Sequence, residues 1–147
     1  MQTTIASVLN HKGHEVWSVP PTALVSEAIQ VMAQHRIVVL LVLSDDQLVG
    51  IISERDCTRK VILPGRSPDK VRVGDAMTSP VVFVSPAHTV GDCMWIMTDK
   101  GFTHLPVVDG GRVVGVVSSG DLLRSIVKTQ SETINHLEGY ISGKYPG

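Results

Sequence analysis

Apolar positions along this chain follow two spacings, one helical and one strand-like, and the whole succession is written twice. Val25–His35 carries apolar side chains at Ala28, Ile29 and Met32, and Val90–Lys100 carries them at Cys93, Met94, Ile96 and Met97. That spacing predicts an amphipathic helix in each stretch. Thr22 or Ser26 is the expected cap of the first helix and Thr89 of the second. Each helix is followed by two runs rich in Val, Ile and Leu: Ile37–Leu43 with Leu48–Ile52, then Phe102–Val108 with Arg112–Val117. Their connections, SDDQ and DGGR, hold the residues a tight hairpin turn needs, so each pair is expected as a hairpin. A short strand ending at proline precedes each helix, in EVWSVPP and VVFVSPA, and a further helix follows each hairpin. The predicted unit is β-α-β-β-α.

The two units are copies. Val16–Lys60 aligns with Val81–Ser125 without a gap, pairing Val19 with Val84, Pro21 with Pro86, Gly50 with Gly115, Ser53 with Ser118 and Asp56 with Asp121. Such an internal repeat determines the architecture more than any single element does. One three-stranded unit is too small to bury its own apolar face. The expected fold class is therefore α/β (α+β): two tandem β-α-β-β-α repeats packed sheet to sheet about a pseudo-twofold axis and sharing a core. The expected division is repeat 1 at 5–63, a linker rich in Pro and Gly at 64–80, repeat 2 at 81–127, and a C-terminal polar helix and tail at 128–147.

Bulk properties narrow the function classes. The 147 residues are 43% hydrophobic, which fits a well-buried globular chain, and the net charge of −1 supplies no field for nucleic-acid phosphates. The longest apolar run, Ile37–Leu43, is a third of a membrane span. The N-terminus lacks the features of a secretory signal or a mitochondrial presequence, so the expected location is cytoplasmic. Cys57 and Cys93 have no metal-ligand spacing; Cys57 is expected as a small buried residue, the competing reading being a thiol activated by a helix start. His11 and His14 suggest a metal pair without a third ligand, so no metal is expected.

The phrase that carries chemistry is GIISERD at 50–56, repeated as GVVSSGD at 115–121. Ser-x-x-Asp is a capping box, worth roughly 1 kcal/mol to a helix, and capping alone would explain both copies. Asp in place of the usual Glu or Gln is expected to reach its own cap less easily. That leaves its carboxylate to accept from a diol, beside helix N–H groups suited to phosphate.

The order β-α-β-β-α, DAMTSP before the second copy, THLPVVD on its middle strand, and the Gly-φ-φ-Ser-x-x-Asp phrase twice together resemble the CBS domain. Two such repeats form a CBS pair, or Bateman module, and the likeness runs from about residue 5 to 127. SERDCTRKVILPGRS and GDLLRSIV…HLEGYISGKY are similar to stand-alone CBS-pair proteins of proteobacteria and plant organelles. The resemblance implies a regulatory sensor that binds adenine nucleotides between its repeats and signals by conformational change to a partner protein or within an oligomer, commonly a homodimer. It implies a first site of Ser53, Arg55 and Asp56 facing Met77, Val82, Phe102, Thr103 and His104, for AMP, ADP or ATP. It implies a second site of Ser118, Gly120 and Asp121 facing Lys12, Trp17, Ile37, Val38 and Val39, with free volume at Gly120, for NAD or S-adenosylmethionine. Simpler roles compete: Trp17 as a packed aromatic, His104 as a strand-bonding residue, and Arg55, Arg59 and Lys60 as a solvated face. Met32, Met94 and Met97 read as core fillers.

A nucleotide-processing enzyme and an S-adenosylmethionine-binding variant are the alternatives. The sequence has no Walker loop, GxSxG elbow or metal triad, so no catalysis is expected. Neither nucleic acid nor membrane is an expected partner.

Overall fold

The computed structural model describes residues 2–134. In repeat 1, α1 (Ile5–Lys12) and β1 (Ser18–Val19) lead into α2 (Val25–His35), β2 (Val39–Ser44) and β3 (Gln47–Ser53). A short helix α3 (Glu54–Cys57) then continues as a π-helical turn, Thr58–Ile62. The segment between the repeats holds α4 (Val73–Ala76), and repeat 2 follows as α5 (Val90–Lys100), β4 (His104–Asp109), β5 (Arg112–Ser118) and α6 (Ser119–Ile134). Both amphipathic helices have the expected bounds. Of the C-terminal helix and tail expected over 128–147, α6 accounts for the part to Ile134, and the rest lies outside the described residues.

The hairpins turn as their sequences require. Asp45 and Asp46 both have positive φ, at 49° and 65°, as do Gly110 and Gly111, at 59° and 81°, the backbone a two-residue turn needs to match the strand twist. The middle strands start later than expected because the helices before them close with a left-handed residue. Arg36 has φ 56° and Gly101 φ 74°, and the next amides, Ile37 and Phe102, bond back to Met32 and Met97 at 3.0 Å in each case.

The short first strands differ between the copies, and one proline explains it. In repeat 1 the Leu41 N–H donates to Trp17 O at 3.2 Å, and Ser18–Val19 runs parallel to Leu41–Val42. The position matching Leu41 is Pro106, which has no N–H to offer. Only the bridge Val84↔Val107 remains there, and repeat 2 keeps a two-stranded sheet, β4–β5.

The expected caps are corrected in the first copy. Neither Thr22 nor Ser26 caps α2; Leu24 holds the N-cap position without a side-chain bond. The first-turn amides of Val25 and Ser26 instead donate to Val71 O and Pro68 O, at 2.8 and 3.0 Å, so the connecting segment does the capping. Thr89 caps α5 as expected, in a capping box with Asp92.

The buried apolar residues form two clusters where one shared core was expected. Val25, Ala28, Met32, Leu40, Val42 and Ile52 pack with Val71, Val73 and Ala76 from the segment between the repeats. Val90, Cys93, Leu105, Val107, Val117 and Leu122 of repeat 2 pack with Ile5, Val8 and Leu9 of α1. The helix ahead of each repeat thus completes the other repeat. The hydrogen bonds match one for one: Ile5 N donates to His88 O and Val73 N to Ala23 O, both at 2.8 Å. Val90 N donates to Thr3 O and Val25 N to Val71 O, again at 2.8 Å. The repeat therefore extends to Thr3–Leu9 and Val71–Met77, with three more residues between these copies than elsewhere, a gap that hid them in the ungapped alignment.

Candidate functional site

Each Ser-x-x-Asp closes as a capping box. The Ser53 amide donates to Asp56 Oδ2 at 3.0 Å while the Asp56 amide donates to Ser53 Oγ at 3.1 Å; for Ser118 and Asp121 the distances are 2.7 and 3.1 Å. The expectation that a short Asp leaves its carboxylate open is corrected, since both reach their caps with ease. The Glu54 amide is also used, donating to Val38 O at 2.9 Å.

Beyond the box the two aspartates differ. Asp56 Oδ1 accepts from the Thr78 hydroxyl at 3.1 Å and lies 3.3 Å from the Lys60 ammonium. Asp121, only 6% exposed, is held by Lys12 and Arg124, each at 2.6 Å. Burial pushes its pKa up, but the Lys12 and Ser118 hydrogen bonds, the Lys12 charge and Arg124 outweigh burial and hold it below the usual range. Lys12 Nζ also donates to Val116 O at 2.6 Å.

Around Asp56 a cavity of about 380 Å³ opens between the repeats. It is lined by Ser53, Arg55 and Asp56 of repeat 1 and by Val82, Phe102, Thr103 and His104 of repeat 2. The first expected set is thus gathered round one space, apart from Met77, whose side chain packs against Gly50 while its carbonyl accepts from Lys60 at 3.2 Å. Sequence reasoning did not place Glu54, Thr78, Pro80, Val81 or Gly101 on this wall. Thr78 and Pro80 lie in the quoted DAMTSP, and that motif was the available signal.

The second expected set is gathered only in part, Lys12 and Ser118 meeting at Asp121 while the rest lie elsewhere. Val38 and Val39 line the first cavity, Ile37 packs against the first core, and Trp17 stacks on His35 with ring centroids 3.5 Å apart. The volume expected beside Gly120 is taken by Arg124, whose Nη1 lies 3.5 Å from where a Cβ would be. Lys12, expected as a cation for a ligand, serves the protein's own Asp121.

His104 lies between these two regions. It pairs across the hairpin with Ser118, and its Nδ1 is 2.9 Å from the Thr103 hydroxyl. Burial first, then Lys12, lowers its pKa, against the opposing charge of Asp121. Cys57 is buried and its thiol pKa is raised, by burial and then by Asp56 and Glu54, so it is no activated nucleophile. His11 and His14 diverge: His14 Nδ1 donates to Val114 O at 2.9 Å, while His11 lines a separate groove. Among the described residues, no helix is long and apolar enough to cross a membrane.

Comparison with known proteins follows the same two-part plan. A family model described as CBS domain matches residues 8–63 and again 73–128. A mitochondrial CBS domain-containing protein of Arabidopsis thaliana is 36% identical, over 97% of this chain and 74% of its own length. A solved CBS-domain protein from Burkholderia ambifaria is 40% identical, with a TM-score of 0.83, covering 87% of this chain and 96% of its own. Another, from Agrobacterium tumefaciens, is 33% identical with a TM-score of 0.80, over 84% and 98%.

Proposed function

The chain belongs to the CBS-domain family and carries a pair of its repeats, and on that premise we propose that it is a cytosolic sensor of adenine nucleotides. Stand-alone CBS pairs are generally regulatory proteins and not enzymes, and adenosine ligands are common among CBS domains. The observation that carries the reading is the meeting of Ser53, Arg55 and Asp56 from one repeat with Phe102, Thr103 and His104 from the other around one cavity. At about 380 Å³ the cavity is within the range of small-molecule sites, roughly 300–1,000 Å³.

In this reading AMP, ADP or ATP lies with its base against Phe102 and Val82 and its ribose diol on Asp56. Thr78 and Lys60 hold that carboxylate in the free protein and give way to the diol, because four acceptor positions are already in use. Phosphate meets the Arg55 guanidinium and the dipole of the helix that Ser53 caps. A ligand touching both repeats has different affinities for different spacings between them, which is what a regulatory shift requires. Trp95, Leu123 and Val127 are exposed apolar side chains on α5 and α6 and suit the contact of a homodimer or a regulated partner. For the second Ser-x-x-Asp we infer closure by Lys12 and Arg124, so that the cleft between the repeats takes one nucleotide and neither NAD nor S-adenosylmethionine enters there.

Calorimetric titration of AMP tests this. Binding at one molecule per chain is expected, weakened about tenfold or more by Asp56→Ala and by Phe102→Ala and unchanged by Trp17→Ala. Two molecules per chain, or a loss confined to Trp17→Ala, would sink the reading.

A further inference from the structure

A second cavity, of about 420 Å³, lies between α1 and α6 and shares no lining residue with the first. Among the described residues its walls carry three permanent cations, Lys12, Arg124 and Lys128, and a single carboxylate, Asp121. That carboxylate is 6% exposed and already shared by Lys12 and Arg124, so the groove presents net positive charge to solvent. Ser7 and Ser125 add hydroxyl donors from the two helices; the Thr129 hydroxyl is committed to Ser125 O at 3.2 Å.

The spacing gives the groove a direction. On α1, Ser7 and His11 are one turn apart, and on α6, Arg124 and Lys128 are one turn apart, so donors recur along both walls at about 5.4 Å. Two facing rows of cations and hydroxyls match an elongated anion with more than one charged group. Among the described residues no Phe, Tyr or Trp ring lines the groove, and its contacts are dominated by cations and hydroxyls. Ammonium and guanidinium groups repel a metal ion, and the chain's net charge of −1 gives no wider field for a nucleic acid. We propose that the α1–α6 groove is a second ligand site, for a small polyphosphate-type anion bound through its phosphoryl groups.

Sodium tripolyphosphate is the probe, titrated calorimetrically into the full chain at about 0.15 M salt, where screening suppresses loose surface attraction. One anion per chain is expected. Lys128→Glu reverses a charge on the groove wall without touching Asp121, and Ser7→Glu places a carboxylate on the facing helix. Each is expected to weaken binding about tenfold or more, with melting curves showing both variants folded. Saturating AMP is expected to leave the titration unchanged. Displacement by ATP would identify the tail of a nucleoside triphosphate as the source of the phosphoryl groups, and indifference to ATP a free polyphosphate. The proposal is overturned if tripolyphosphate gives no binding, if both variants bind it as tightly as the parent, or if AMP displaces it. Failure of AMP to bind at all would count against the nucleotide reading alone, since this titration does not depend on it.

Discussion

The two repeats share a backbone plan and differ in what their matching aspartates hold. Asp56 faces a cavity and is held by a hydroxyl and a partly exposed lysine; Asp121 is enclosed by Lys12 and Arg124. The same capping box is thus compatible with an open site and with a closed ion cluster. The motif specifies a helix start, and the residues arriving from the other repeat decide whether anything else fits.

The largest test of that contrast removes each aspartate in turn. Asp121→Ala leaves two cations facing each other, although both reach water, so a loss of about 2–3 kcal/mol is expected, less than for a fully buried pair. Asp56→Ala is expected to cost about 1–2 kcal/mol, largely lost capping. Urea unfolding of both variants measures this, and equal losses would remove the distinction between the sites.

The glycines ahead of each box give a second contrast. A Cβ on Gly115 would lie 2.7 Å from Leu9 Cδ2, and one on Gly50 would press on Met77. Leu9 is buried in the second core, whereas Met77 is half-buried with an unbranched, adaptable side chain. Gly115→Ala should therefore cost about 2 kcal/mol and Gly50→Ala about 1 kcal/mol. The reverse order would mean that α1 is the looser of the two exchanged helices.

Smaller still, Arg36 holds the left-handed position that Gly101 holds in the other copy. Arg36→Gly should raise stability by about 0.5–1 kcal/mol, as a higher melting midpoint. No gain would place the strain elsewhere in the α2–β2 turn.

The last contrast is one of slope. His104 has a lowered pKa in the folded chain, and its counterpart Val39 does not titrate. The neutral ring is favoured on folding, so its contribution is complete above about pH 6.5 and is lost as pH falls through the lower folded value. Asp121, also lowered, contributes above about pH 4 and loses its contribution only in stronger acid. Melting from pH 7 to 5 should show a decline that His104→Gln flattens and Asp121→Asn does not; an unchanged slope in His104→Gln would assign it to another group.

These contrasts show where the sequence was legible. Helix bounds, hairpins and the repeat could be read because each is a local pattern of apolar spacing and turn residues. Most of the first cavity's wall was legible through the family resemblance, which carries Ser53, Arg55, Asp56, Val82, Phe102, Thr103 and His104 over by alignment. What was not legible depends on partners far apart in the chain. Nothing local distinguishes Lys12 as a partner of Asp121 from Lys12 as a partner of a ligand, and Gly120 looks spacious until Arg124 folds over it. The first strand of repeat 2 was overestimated although its cause, Pro106, was in view, because that proline acts on a bond to a neighbouring strand.

The exchange of leading helices has a consequence for the chain as it leaves the ribosome. Repeat 1 lacks part of its interior until residues 71–77 have emerged, while α1, made ahead of both hairpins, has an incomplete docking face until Leu122 appears. A segment made early is therefore among the last to complete its packing. Neither repeat is a free-standing product of gene duplication, and severing the chain at its midpoint would leave each fragment holding a piece of the other's interior.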